Sequence, residues 1–98
     1  MELHVRMAAE LRKLFPGCPA ERAEAIARHA AKRGGGRVGR SAAGRALDQE
    51  ALELAVVASV RHQDTGYDEL LMSGIERPEA RARVRDAVDA VLERWRRA

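Results

Sequence analysis

Residues 47–71 read LDQEALELAVVASVRHQDTGYDELL, and the first half of this stretch is the most apolar run of the chain. Between Ala51 and Val60, only Glu53 and Ser59 are polar. A helix that is apolar on nearly every side normally has neighbours on nearly every side. The run therefore predicts the central helix of the fold, with the other helices laid against it.

This central helix is expected to extend from Asp48 to His62. Asp48 is a suitable N-cap residue, and Glu50 lies in the first turn, where the helix dipole favours an acid. We expect the least exposed positions to include four small or apolar residues: Ala51, Leu54, Ala55 and Ala58. A buried Leu54 predicts that Leu54→Ala costs about 2–5 kcal/mol of stability.

Length and composition favour a single all-α domain over residues 1–98. Hydrophobic residues make up 46% of the chain, but only Phe15, Tyr67 and Trp95 are aromatic. A core built from Ala, Leu, Val and Ile suits closely packed helices, and Ala, Arg and Glu are good helix formers. A chain of this size buries a modest core and is often stabilised by oligomerisation.

Three further long helices are predicted from apolar residues at helical spacing. They cover Glu2–Phe15, Pro19–Arg33 and Pro78 to about Arg97. The second is expected to bury a thin stripe of Ala23, Ile26, Ala27 and Ala30. The last is expected to bury Ala80, Val84, Ala87, Val88, Val91, Leu92 and Trp95. With the central helix, these segments predict four main helices.

A short helix is predicted between the central and last helices. Thr65 followed by Asp68 resembles a capping box, in which Thr65 would cap the helix through the backbone N–H near Asp68. Gly74 is expected to end this helix.

The segment Gly34–Ala46, GGGRVGRSAAGRA, is predicted to be a loop between the second and third helices, because no periodicity is sustained in it. From Lys32 to Leu47 there are five basic residues, five glycines and no acid. Exposed backbone N–H groups and arginine side chains suit anions such as phosphate. The candidate anion-binding or nucleic-acid-binding residues are Arg37, Arg40, Arg45, Lys32 and Arg33. The alternative is a solvated loop, or arginines paired with acidic residues elsewhere.

Part of this loop, from Gly34 to Ser41, approaches the phosphate-binding pattern of nucleotide hydrolases, but Arg40 replaces its lysine. That pattern follows a strand, whereas a helix precedes the segment here. Nucleotide hydrolysis is therefore disfavoured.

Charge is distributed unevenly along the chain. Residues 1–46 hold ten basic and four acidic residues, residues 47–76 hold one and seven, and residues 77–98 hold seven and four. This pattern favours either a basic surface for a polyanion or neutralisation between segments, within one chain or across a dimer.

The segment from Arg61 to Asp68 is a secondary candidate site. It places Arg61, His62, Tyr67 and Asp68 within eight residues. Metal binding by His62, Asp64 and Asp68 can be imagined, but the spacing matches no recognised ligand pattern, and Asp68 is better explained by a cap. We therefore predict no metal, no cofactor and no catalytic residue.

The single cysteine, Cys18, excludes an intramolecular disulfide and a cysteine-cluster zinc site. Its place before a helix could lower its pKa, but a packed thiol is the simpler interpretation. No apolar run is long enough to cross a membrane and no signal peptide is recognisable, so a cytoplasmic protein is expected.

Three segments resemble the family catalogued as domain of unknown function 2293. They are FPGCPAERAEAIARHA (residues 15–30), GRVGRSAAGRALD (36–48) and VRHQDTGYDELLMSGIERPEAR (60–81). The resemblance covers roughly residues 15–97. It implies a helical domain and carries no activity, cofactor or catalytic residue.

Two functional hypotheses follow. In the first, the chain is a small module that binds DNA, RNA or another polyanion through the Gly/Arg loop, with arginines of the second and last helices. In the second, it is a self-associating protein-interaction module, a homodimer in which acidic and basic segments meet. An enzyme is the least favoured class.

Overall fold

The computed structural model describes the backbone of residues 2–33 and 42–97, and the side chains of residues 2–32 and 49–97. These residues form helices and turns without a strand, which confirms the all-α class. The helices are α1 (Leu3–Leu14), α2 (Ala20–Arg33), α3 (Ala42–Asp64), α4 (Tyr67–Met72) and α5 (Arg77–Arg97). Four are long, and the short α4 lies between α3 and α5, as predicted.

Helix α3 is the centre of the fold, because it contacts each of the other four helices. α1 packs mainly against α2, while α5 packs against α3 and α4. The central position of this helix was therefore predicted correctly.

The buried side of α3 differs from the predicted one. Leu52, Val56 and Val60, spaced four residues apart, are 1% exposed or less and join the main hydrophobic core. By contrast, Leu54 is 64% exposed. The predicted burial of Ala51 and Leu54 is wrong because both are exposed, and their partners in that prediction, Ala55 and Ala58, are only partly buried. Although α3 is apolar on more than one side, only the side that carries Leu52, Val56 and Val60 is buried in the core.

The first turns of α3 also differ from the prediction. The helix begins at Ala42, so Asp48 lies inside it and is not its N-cap. Residues 42–46, predicted as loop, are helical, because alanines at three of these five positions favour helix more than the single Gly44 opposes it. The rest of the predicted loop, residues 34–41, lies outside the described residues.

The stripes of α2 and α5 follow the sequence pattern. Ala23, Ile26, Ala27 and Ala30 are all buried. Along α5, the buried residues are Ala80, Val84, Val88, Val91, Leu92 and Trp95. Ala87, which was predicted in this stripe, is exposed because it lies on the edge of the helix away from the core.

The junction of α3 and α4 is closed by Thr65, but not as the predicted capping box. The Thr65 hydroxyl donates to the Arg61 carbonyl and accepts a hydrogen bond from the Tyr67 N–H at 3.2 Å. Gly66 is the N-cap residue of α4, and no side chain caps it. The Asp68 carboxylate contacts His62 instead of the backbone.

Gly74 ends α4 as predicted. Its φ of 98° is in the left-handed region that favours glycine, and its N–H donates to the Leu71 carbonyl at 3.1 Å. The next residue, Ile75, donates to the Leu70 carbonyl at 3.0 Å. These two bonds satisfy carbonyls that the end of a helix otherwise leaves free.

Trp95 connects the end of α5 to the turn between α1 and α2. The Gly17 N–H donates to the Trp95 carbonyl at 2.6 Å, and the Trp95 side chain is 8% exposed. The Arg96 guanidinium lies 5.1 Å from the centre of the Phe15 ring. Trp95 is thus an anchor of the core, as predicted.

Candidate functional site

An apolar groove with a volume of about 850 Å³ lies between α2 and α3. Its apolar lining comes from Ala25, Ile26 and Ala30 of α2 and from Ala51, Leu54, Ala55 and Ala58 of α3. The four residues of α3 are those predicted to be the most buried of the helix. They lie on one side of α3, but that side faces the groove instead of the core.

The groove exists because small residues line both of its walls. The side chain of alanine is a single methyl group. The alanines of α2 and α3 therefore leave the space between the two helices unfilled near the surface. Among the described side chains of α3, Leu54 is the long aliphatic one in this lining. Polar residues complete the lining, namely Glu21, Arg22, His29, Ser59, His62 and Gln63.

At one end of the groove, Arg22 of α2 binds the end of α3. Its two terminal nitrogens bind the two Asp64 carboxylate oxygens at 3.2 and 2.8 Å, and one also donates to the Ser59 hydroxyl at 3.1 Å. The guanidinium lies 5.0 Å from the centre of the Trp95 ring. The Arg22 and Asp64 side chains are only 22% and 27% exposed, so water screens this pair less than a surface pair.

Sequence reasoning missed Arg22 because its partners lie 37 and 42 residues away. The available signal was Ser59, a polar residue inside the most apolar run. A hydroxyl that is partly withdrawn from water normally has a hydrogen-bond partner. The partner's identity could not be read from the chain.

The secondary candidate site is partly assembled. The His62 Nδ1 lies 2.6 Å from an Asp68 carboxylate oxygen, and the His62 and Tyr67 rings meet edge to face at 5.2 Å between centres. The Arg61 guanidinium lies 5.5 Å from the centre of the Tyr67 ring. The structure therefore brings Arg61, His62, Tyr67 and Asp68 together around the α3–α4 junction.

This cluster connects two helices. Tyr67 is 2% exposed and holds the start of α4 in the core. His62 and Asp68 remain about half exposed, at 51% and 52% of their side chains. Within the residues described, no three His, Cys, Asp or Glu side chains converge as metal ligands. Asp64, the third ligand imagined from the sequence, has its carboxylate bound to Arg22.

Cys18 is a packed core residue. It is 5% exposed, and burial raises the pKa of its thiol above its ordinary value. Arg22 and Arg12 lower this pKa and Asp64 raises it, and the net change is upward. The position before α2 therefore does not activate the thiol, because desolvation of the thiolate outweighs the nearby positive charge.

The candidate anion-binding residues are mostly beyond the side chains that the structure describes. Lys32 is exposed at the end of α2. The side chains of Arg33, Arg37, Arg40 and Arg45 lie outside the described set. On α5, Arg77, Arg81 and Arg85 are exposed at successive four-residue intervals.

Comparison with known proteins identifies one family. The sequence model of the family described as "Uncharacterized conserved protein (DUF2293)" matches residues 10–96, which is most of the chain. This match confirms the resemblance found in the sequence. Neither a curated protein nor a solved structure matches the chain significantly. Among the described residues, no helix is long and apolar enough to cross a membrane.

Proposed function

The chain belongs to the DUF2293 family, and we propose that it is a protein-interaction module that self-associates through the α2–α3 groove. The observation that carries this proposal is the 64% exposure of Leu54 at the edge of an apolar groove. Isolated exposed apolar residues are common, but an apolar side chain beside a contiguous apolar surface is typical of a binding surface.

A second copy of the chain is the occupant that fits best. The same surface carries a projecting leucine and a floor of alanines with room for such a side chain. A two-fold symmetric dimer brings one surface against itself, so each copy can fill the groove of the other. Each Leu54 would then leave water, and burying a leucine fully contributes about 1.5–3 kcal/mol.

The test is sedimentation equilibrium or light scattering of the whole chain over a range of concentrations. The wild type is expected to show a concentration-dependent dimer. Leu54→Glu is expected to be monomeric, because it places a charge in the apolar interface. Since Leu54 is exposed in the single chain, this variant should keep its helical circular dichroism.

Met72→Glu is the matched control. Met72 is also a large exposed apolar residue, at 87%, but it lies on α4 outside the groove lining. This variant is expected to dimerise like the wild type. A wild type that stays monomeric at every concentration would refute the proposal, as would a Leu54→Glu variant that dimerises normally.

A second candidate function is the binding of DNA, RNA or another polyanion. What favours it is the row of exposed arginines on α5, Arg77, Arg81 and Arg85, none of which forms an ion pair with a described acidic side chain. The sequence adds five basic residues between the end of α2 and the first turn of α3, namely Lys32, Arg33, Arg37, Arg40 and Arg45. Such charges would bind phosphate groups without reading base sequence.

This second function is tested by titrating DNA and RNA at several salt concentrations. Replacing Arg37, Arg40 and Arg45 with Ala is expected to weaken binding to all sequences about equally. The salt slope should fall by roughly 0.7–0.9 per lost phosphate contact. The control replaces Arg28, Arg83 and Arg97, each of which is already paired with a glutamate four residues earlier. An unchanged titration after the first triple substitution would exclude the loop.

We also propose that the protein is located in the cytoplasm. It rests on the single cysteine, since extracellular domains of this size are often stabilised by disulfides.

A further inference from the structure

We infer that the self-association proposed above pairs the two α3 helices antiparallel, with Leu54 of each copy over Ala58 of the other. In this arrangement Glu50 of each copy forms an ion pair with Arg61 of the other. The inference rests on the proposed function, and it adds the orientation and register of the interface.

The first argument is the shape of the exposed side of α3. Leu54 and Ala58 are one turn apart on the same side, and both line the groove. In an antiparallel pair, placing Leu54 opposite the partner's Ala58 automatically places Ala58 opposite the partner's Leu54. Each large side chain then meets a small one. A parallel pair would set Leu54 against Leu54 and Ala58 against Ala58.

The second argument is the distribution of charge along α3. Glu50 is exposed near the first turns, and Arg61 is partly exposed near the end. Eleven residues separate them, which is about three full turns, so they share a side of the helix. They flank Leu54, since Glu50 precedes it by one turn and Arg61 follows it by about two.

The two arguments agree on one register. When Leu54 lies opposite the partner's Ala58, Glu50 lies within one residue of the partner's Arg61. In an antiparallel pair related by a two-fold axis, equivalent sides of the two helices meet, so this ion pair forms twice. In a parallel pair, Glu50 would lie near Glu50 and Arg61 near Arg61, and both contacts would be repulsive.

Charge reversal tests this register. Glu50→Arg alone and Arg61→Glu alone should each raise the dimer dissociation constant by roughly tenfold or more, because each homodimer contains like charges face to face. An equal mixture of the two variants should form a heterodimer, since every contact between them joins opposite charges. The double variant, with both changes in one chain, should dimerise again. Sedimentation equilibrium measures all four.

Matched controls separate this effect from net charge. Glu76→Arg and Arg6→Glu make the same changes in charge at exposed positions away from the groove. They are expected to dimerise like the wild type. Because Arg61 also contacts the Tyr67 ring, circular dichroism must show that Arg61→Glu is folded before its association is measured.

A disulfide test gives an independent answer that does not depend on charge. A mixture of Leu54→Cys and Ala58→Cys chains, oxidised and weighed by mass spectrometry, should form mainly the mixed disulfide. Cys18 can remain, because it is buried. Parallel pairing would instead give the disulfide between two Leu54→Cys chains.

The outcomes separate this inference from the proposed function. Rescue in the mixture together with the mixed disulfide supports the antiparallel register. A wild type that dimerises, with no rescue and no mixed disulfide, overturns the register and leaves the self-association intact. A monomeric wild type overturns both.

Discussion

Two sides of α3 carry apolar residues, but their environments differ completely. One side places Leu52, Val56 and Val60 in the core at 1% exposure or less. The other places Ala51 and Leu54 in contact with solvent along the α2–α3 groove. An apolar run therefore predicts a helix with apolar residues on two sides. It does not indicate which of the two sides is buried within the chain.

The largest effect is expected on the buried side. Leu52→Ala should lower the free energy of unfolding by about 2–5 kcal/mol, because it leaves a cavity in a close-packed core. Urea denaturation of the variant measures the loss. Alkylation of the buried Cys18 thiol should also become faster, since a destabilised core opens more often. A loss below about 1 kcal/mol would mean that the core tolerates this cavity by collapsing.

The next effect concerns the rotation of α3 about its own axis, which decides which side is buried. Arg22 binds Ser59 and Asp64 at one edge of α3, so it restricts the rotation of a helix whose two sides are both apolar. Arg22→Leu is expected to cost about 1–3 kcal/mol, because the partly buried Asp64 loses its charged partner.

Arg22→Lys is the useful comparison for this edge. It keeps the charge but cannot bind both Asp64 oxygens and Ser59 in the same planar arrangement. Most of the stability should therefore remain lost in thermal denaturation. Full recovery by lysine would show that charge alone matters and that the geometry of the guanidinium does not position α3.

A smaller effect is expected where α3 ends. The Thr65 hydroxyl donates to the Arg61 carbonyl and accepts from the Tyr67 N–H, so it links the last turn of α3 to the first turn of α4. Thr65→Val keeps the shape and removes both bonds, at a cost of about 1 kcal/mol. Thr65→Ser should retain most of the stability in the same thermal denaturation. A valine variant as stable as the wild type would contradict this role of the hydroxyl, and a serine variant as unstable as the valine variant would show that the hydroxyl alone does not account for the stabilisation.

The smallest effect is expected on the exposed side. Leu54→Ala should change the stability of the single chain by no more than about 0.5 kcal/mol, because Leu54 contributes little to the core. The measurement must be made at a concentration where the chain is monomeric, since a dimer would add its own stabilisation. A loss as large as that of Leu52→Ala would contradict the difference between the two sides.

The sequence predicted the buried sides of α2 and α5 and the end of α4, because each depends on a local pattern. Helical periodicity in α2 and α5 placed Ala23, Ile26, Val84 and Trp95 inside, where they are. Those helices are strongly polar on one side, so only one rotation about the helix axis buries their apolar residues. Gly74 likewise marked the end of α4, because its backbone angle is open mainly to glycine.

The candidate site was predicted only in part. The segment from Arg61 to Asp68 does assemble its four residues, because they are close in sequence around one helix junction. The groove was not predicted, because its two walls belong to two helices, α2 and α3, and no local pattern determines how closely they pack. Nothing in the chain indicated that small residues of α2 would face the apolar residues of α3 without filling the space between them.

The sequence by itself thus determined the helical class, the inner sides of α2 and α5, and the central place of α3. These follow from local preference and from amphipathic patterns, which each segment carries alone. Only the tertiary structure decided which side of α3 is buried. That choice depends on Leu52, Val56 and Val60 meeting α5 and its neighbours while Arg22 holds Ser59 and Asp64, and these contacts exist only once the helices have packed.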